Sequence, residues 1–193
     1  MQTNILIFAS GSGSNAERFV SYFSNHPQIK IAGIVCNRKA AFVFERAKKL
    51  NTPSFYITKN QLLEDDSELF TLLSTLAIDY IVLAGFLVKI PRWLIDKFPN
   101  KIINIHPSLL PKFGGKGMYG MHVHRAVLAE KAQESGMTIH LVNEEFDKGK
   151  ILFQAKTPIK DNMKAEDIAK AVQKLEYLHY PEIVESYILK KKK

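Results

Sequence analysis

Roughly the first hundred residues alternate short apolar runs, rich in β-branched residues, with longer stretches whose apolar positions recur at helical spacing, and few folds accept that alternation. Strands are predicted over 4–9, 29–36, 54–57 and 80–84, and helices over 16–23, 40–50, 60–76 and 92–98. Asn15 is the expected cap of the first helix, and Pro91 sits in the first turn of the fourth. Runs this short and apolar suit strands covered on both faces. The pattern therefore predicts an α/β fold, a Rossmann-like doubly wound and mostly parallel sheet with right-handed crossovers. Its ligand crevice would lie at the carboxyl ends of the strands. A fifth strand is expected to end at His106. Beyond residue 111 the pattern changes to a helix over 122–131 and two strands, 137–143 and 151–159, joined by the turn 144–150. That pair reads as a C-terminal antiparallel extension of the sheet. The last stretch, 165–190, reads as a helix broken near Pro181, followed by a solvated lysine tail, Lys190 to Lys193.

At 193 residues with 46% hydrophobic and 24% charged side chains, the chain is long enough for one domain, 1–193, around a sizeable core. Its net charge of +8 owes half its excess to the terminal lysines. No interior basic patch is interleaved with aromatics, so small anionic substrates fit better than nucleic acid. The single cysteine, Cys36, leaves no internal disulfide and suits a reducing compartment. No signal core or bilayer-length apolar run is present, so a cytoplasmic protein without a membrane partner is expected.

The expected chemistry sits where the fifth strand ends. In Lys101-Ile-Ile-Asn-Ile-His-Pro-Ser-Leu-Leu-Pro111, Pro107 cannot donate to a central ladder, so the strand stops as the polar residues begin. Asn104 and His106 are two apart and project from one face. An amide and an imidazole together suit charge developing on an oxygen, the amide as fixed donor and the imidazolium as donor or acid. The same pair equally suits a capping Asn beside a structural His. The segment Lys112 to Gly120 follows, with four glycines in nine residues, and is expected to form a mobile flap.

A second candidate site is Gly11-Ser-Gly-Ser-Asn-Ala16 between the first strand and helix. Glycines admit close backbone approach, and free amides at a helix start point at an anion, so the loop reads as a phosphate cradle. It also satisfies the G-x-G-x-x-A spacing of a dinucleotide turn, but Asn37-Arg38 stands where an acid for NAD would close the second strand, leaving NADP open. Five of the six histidines lie beyond residue 105. His122 and His124 lack the further ligands a metal needs, and no metal is expected. Asp147 lies in the turn between the last two strands, at the sheet edge expected to carry His106; turns favour Asp in any case.

Together, Asn104-Ile-His-Pro-Ser-Leu-Leu-Pro111, Gly11-Ser-Gly-Ser-Asn15, Leu83-Ala-Gly-Phe86 and Gly136-Met-Thr-Ile-His140 leading to Asp147 resemble the phosphoribosylglycinamide formyltransferases, within the folate-dependent formyltransferase family. The resemblance spans nearly the whole chain and implies the formyltransferase fold. It implies transfer of a formyl group from 10-formyltetrahydrofolate, as co-substrate, to the amine of glycinamide ribonucleotide in purine synthesis, by a monomer or homodimer. It makes Asn104, His106 and Asp147 the catalytic three, and gives the substrate phosphate to Gly13, Ser14 and Asn15 and the ribose to Glu176. The folate would lie against Leu87, Val88, Lys89, Ile90 and Asn104, mainly along the backbone. A carboxylate beside an imidazole would raise the pKa of His106. Val88 and Lys89, and likewise Asp65, stand where the family often carries arginine.

Overall fold

The structure is a computed structural model describing residues 2–191. It divides into two compact units, residues 1–103 and 104–193, the chain passing from one to the next inside its fifth strand. The first unit holds β1 (Thr3–Ala9), α1 (Ser14–Phe23), β2 (Ile29–Cys36), α2 (Val43–Lys49), β3 (Ser54–Tyr56), α3 (Lys59–Leu63), α4 (Glu68–Thr75), β4 (Tyr80–Leu83) and α5 (Arg92–Lys97). β1 lies between β2 and β4 and is parallel to both, and β3 pairs in parallel with the outer side of β2. Ile5 to Ala9 are all fully buried, as a central strand between helical layers requires.

β5 (Ile102–His106) ends where expected, one residue before Pro107. The second unit continues with α6 (Met121–Ala129), β6 (Glu134–Leu141), β7 (Ile151–Pro158) and α7 (Ala165–Lys190). β6 and β7 are antiparallel, from Glu134 opposite Pro158 to His140 opposite Ile151, with a register shift between Ile139 and His140. The sheet is seven-stranded, in the order β3-β2-β1-β4-β5-β6-β7, so the expected α/β class with its antiparallel C-terminal pair is observed.

Four local expectations are corrected. The helix expected over 60–76 is two helices. Thr58 and Gln61 close a capping box on α3, Glu64 turns extended at ψ 131°, and Ser67 starts α4 from an extended conformation. Asp65, Asp66 and Ser67 favour such a break, because short polar side chains compete for backbone hydrogen bonds. The N-cap of α1 is Gly13, not Asn15, in a left-handed conformation at φ 76°. Pro91 is the N-cap of α5 rather than part of its first turn. The break expected at Pro181 does not occur. Proline forgoes one hydrogen bond, but Ile168, Val172, Tyr180, Pro181, Val184 and Ile188 are all buried along α7, and that packing outweighs the missing bond. Of the expected tail, Lys192 and Lys193 lie outside the described residues. Among the described residues no helix is long and apolar enough to cross a membrane.

Candidate active site

The isoleucines of β5 are buried, Asn104 among them is half-buried, and His106 is 4% exposed. The segment after His106 is braced rather than loose. Thr138 Oγ1, on β6, donates to the Ser108 carbonyl at 2.6 Å and accepts from Leu110 N–H at 3.0 Å and from Gln154 Nε2 at 2.8 Å. Its one donor and two lone pairs are thus all used. Gln154 also donates to the Leu110 carbonyl at 3.0 Å, and Ser108 Oγ to the Lys112 carbonyl at 2.7 Å. The chain is thereby returned over His106, whose Nε2–H donates to the Phe113 carbonyl at 2.8 Å. The glycine-rich segment expected to form a mobile flap has its Phe113 carbonyl bonded to the histidine.

Asp147 arrives from the other side. The β6–β7 turn holds it at φ 57°, a left-handed conformation that Asp tolerates better than most residues. Gly149 makes this turn possible, because a Cβ there would collide with the Leu141 carbonyl. Asp147 Oδ2 lies 3.4 Å from His106 Nδ1 and accepts from Gly115 N–H at 2.9 Å. Oδ1 lies 3.6 Å from Nε2 of a second imidazole, His140. His140 Nδ1 donates to the Leu141 carbonyl at 2.8 Å, and its Nε2 lies 3.1 Å from Asn104 Nδ2. Asn104, His140, Asp147 and His106 thus form one cluster, with both imidazoles buried and the amide and carboxylate partly buried.

His140 is the residue that reading the sequence missed. It stands two positions after Thr138 on a strand and just before the turn with Asp147, the same period-two signal that marks Asn104 and His106. The β6–β7 register shift at this position re-aims the strand next to the site.

The electrostatics overturn one expectation. Burial pushes the His106 pKa below the ordinary histidine value, and the neighbouring Asp147 charge and the Phe113 carbonyl offset this only in part. The carboxylate does raise it, but desolvation dominates. For Asp147 burial acts upward, yet the His140 ring, the His106 charge and the Gly115 N–H together hold its carboxyl below the usual range. His124 on α6, also buried, has its pKa lowered by burial and then by His106. Among the described residues no group of three or more His, Cys, Asp or Glu side chains gathers as a metal site.

The other candidates of the first unit are its glycine loop and the segment after β4. Gly13 is buried, with Val43 against its α-carbon face, where a Cβ would overlap the valine side chain. Its left-handed φ directs the chain into α1, so Ser14 and Asn15 occupy the first helical turn. Arg46 braces the loop from α2, donating from Nε to the Ser12 carbonyl at 2.9 Å and pairing with Glu17. Leu87 to Ile90 form an irregular segment with Leu87 and Lys89 exposed, Val88 half-exposed and Ile90 buried. In the second unit, Glu176 is half-buried on α7, one turn before Tyr180, whose hydroxyl is pushed to a high pKa by burial and then by that acid.

Comparison with known proteins adds to this geometry. Residues 3–184 match the family described as Formyl transferase. The chloroplastic phosphoribosylglycinamide formyltransferase of Arabidopsis thaliana is 40% identical over 93% of this chain and 63% of its own length. The phosphoribosylglycinamide formyltransferase of Haemophilus influenzae is 36% identical over 93% of this chain and 84% of its own length. The chain thus spans less than two thirds of the plant relatives it matches, and most of the bacterial one. The crystal structure of the enzyme of that name from Anaplasma phagocytophilum is similar with a TM-score of 0.86 at 30% identity, covering 96% of this chain and 86% of that one. With a family match over nearly its full length, a solved structure of the same topology, and an amide, two imidazoles and a carboxylate joined at the end of β5, this chain belongs to the formyl transferase family.

Proposed function

We propose that the chain transfers the formyl group of 10-formyltetrahydrofolate to the amine of glycinamide ribonucleotide. The observation that carries this reading is the part-buried cluster of Asn104, His140, Asp147 and His106. The neutral amine attacks the formyl carbon and a tetrahedral centre forms, its former carbonyl oxygen now negative. Asn104 and His106 donate to that oxygen. The bond from carbon to the folate nitrogen then breaks, and the proton lost by the amine is delivered to that nitrogen. His106 serves as an N–H donor in either protonation state, exchanging the Phe113 carbonyl for the formyl oxygen. Asp147 holds the Nδ1 edge of the ring, and His140 fixes which way the Asn104 amide points.

The substrate phosphate is assigned to Gly13, Ser14 and Asn15 at the start of α1, where backbone amides and the helix dipole favour an anion. Glu176 is assigned to the ribose, and Leu87 to Ile90 to the pteridine. On this reading residues 1–193 act as one cytoplasmic formyltransferase domain, monomeric or homodimeric, on small molecules and without nucleic acid, membrane or metal. The test is His106→Ala. It should lower kcat by about a hundredfold or more while both ligands still bind. A large loss of affinity with normal single-turnover chemistry would overturn the assigned role. Wild-type protein that bound NADP tightly and transferred no formyl group would overturn the activity.

A further inference from the structure

Ser10 closes β1 and opens the glycine loop, so its place in the sequence groups it with the phosphate cradle. Its hydrogen bonds place it elsewhere. β1 and β4 run as a parallel pair, and the backbone bonding continues past the strand ends with Ala84 N–H to the Phe8 carbonyl at 2.8 Å and Ser10 N–H to the Gly85 carbonyl at 3.1 Å. Beyond this point β1 turns away into the loop, and the next backbone donor on the β4 side, Leu87 N–H, has no strand left to meet. It donates instead to Ser10 Oγ at 3.0 Å. The hydroxyl takes the place of the departed backbone as the next rung. Its own proton goes to Asn37 Oδ1, at the end of β2, at 2.6 Å. That bond commits the hydroxyl hydrogen to one side and leaves an oxygen lone pair aimed at Leu87. Ser10 is 1% exposed, so its hydroxyl is shielded from water. Gly85, at φ 74°, supplies the left-handed turn that brings the segment back to the serine. The arrangement also accounts for Asn37, which occupies the position of a dinucleotide-binding acid but spends its side-chain oxygen on Ser10.

We infer that Ser10, oriented by Asn37, is a positioning residue for the folate-side segment Leu87 to Ile90, and not a contributor to phosphate binding. The inference rests on the functional reading above for the identity of the two substrates. Ser10→Ala removes the hydroxyl and keeps the backbone bond to Gly85, so the glycine loop retains its path while Leu87 N–H loses its acceptor. The KM for 10-formyltetrahydrofolate should rise about tenfold, the cost of one part-buried donor that loses its acceptor. The KM for glycinamide ribonucleotide should stay within about twofold. The Leu87 amide should exchange with solvent at least about tenfold faster, measured by NMR hydrogen exchange. Asn37→Ala, which removes only the group orienting the hydroxyl, should shift folate KM and Leu87 exchange in the same direction by less, and it tests the inference should Ser10→Ala fail to fold. A rise confined to the ribonucleotide KM would overturn the assignment, as would unchanged folate KM with unchanged Leu87 exchange. If the wild-type protein transferred no formyl group, the functional reading would fall, and Leu87 exchange alone would decide. Acceleration in the variants would support the hold on the segment, and its absence would overturn it.

Discussion

Both ring nitrogens of His106 face oxygens, Nε2 the Phe113 carbonyl and Nδ1 the Asp147 carboxylate, so the geometry favours the doubly protonated ring. Burial opposes it, and burial prevails. Asp147 therefore acts as a partial counterweight, and Asp147→Asn should show its size. Removing the charge takes away the largest upward influence on the ring, so the His106 pKa should fall further below the ordinary range. Loss of the carboxylate that holds the Nδ1 edge of the ring should also lower kcat about ten- to a hundredfold while substrate affinities change little. NMR titration of the His106 ring in both proteins checks the shift. An unchanged pKa with lost activity would mean that Asp147 works on the attacking amine instead. At this scale the Asn104 and His106 pair was legible, because period two is a property of five residues. The direction of the His106 pKa was not, since desolvation depends on what covers the ring, and that is decided by Phe113 and its braced segment.

At the scale of elements the site depends on a hairpin as much as on a strand. Asp147 reaches its partners because the β6–β7 turn folds tightly onto Leu141, and Gly149 is where that approach occurs. Gly149→Ala should cost about 2–4 kcal/mol of stability, since the clash is with backbone that cannot rotate away. Chemical denaturation measures this. The variant should also lose kcat through a displaced Asp147, and stability lost without any change in kcat would show that the turn carries no catalytic geometry. Among the elements, α1 to α5 were legible apart from the break at 64–67, where three consecutive short polar residues outweighed a continuous helical spacing. Pro181 misled in the opposite direction. A local rule says that proline breaks a helix, but the buried residues of α7, spread over twenty-odd positions and packed against β6 and β7, keep it continuous through Pro181.

For the whole molecule the buried histidines set a pH dependence. His106 and His124 have pKa values below the ordinary one, so between the two the unfolded chain binds protons that the native state does not. Stability should therefore fall as pH drops below about 6.5, with a slope of up to roughly 1.4 kcal/mol per pH unit for each such group. Asp147, held low, adds a further loss only at far more acid pH, as its carboxylate takes up a proton. Thermal melts from pH 8 to 5 should show this decline, and His124→Phe should reduce its slope; a flat profile would mean that neither ring resists protonation. The sequence by itself determined what short windows can encode: alternating strands and helices, a glycine turn leading into a helix, and an amide and an imidazole on one face of a strand end. Pleat, helical period and the sterics of glycine act over a few residues and need no knowledge of the rest of the chain. Only the tertiary structure decided that His140 holds Asn104 across 36 residues, that Ser10 holds Leu87 across 77, and that His106 is buried deeply enough for desolvation to outweigh a neighbouring carboxylate. These depend on which groups the folded chain excludes from water together, and that exclusion comes from packing between segments distant in the sequence.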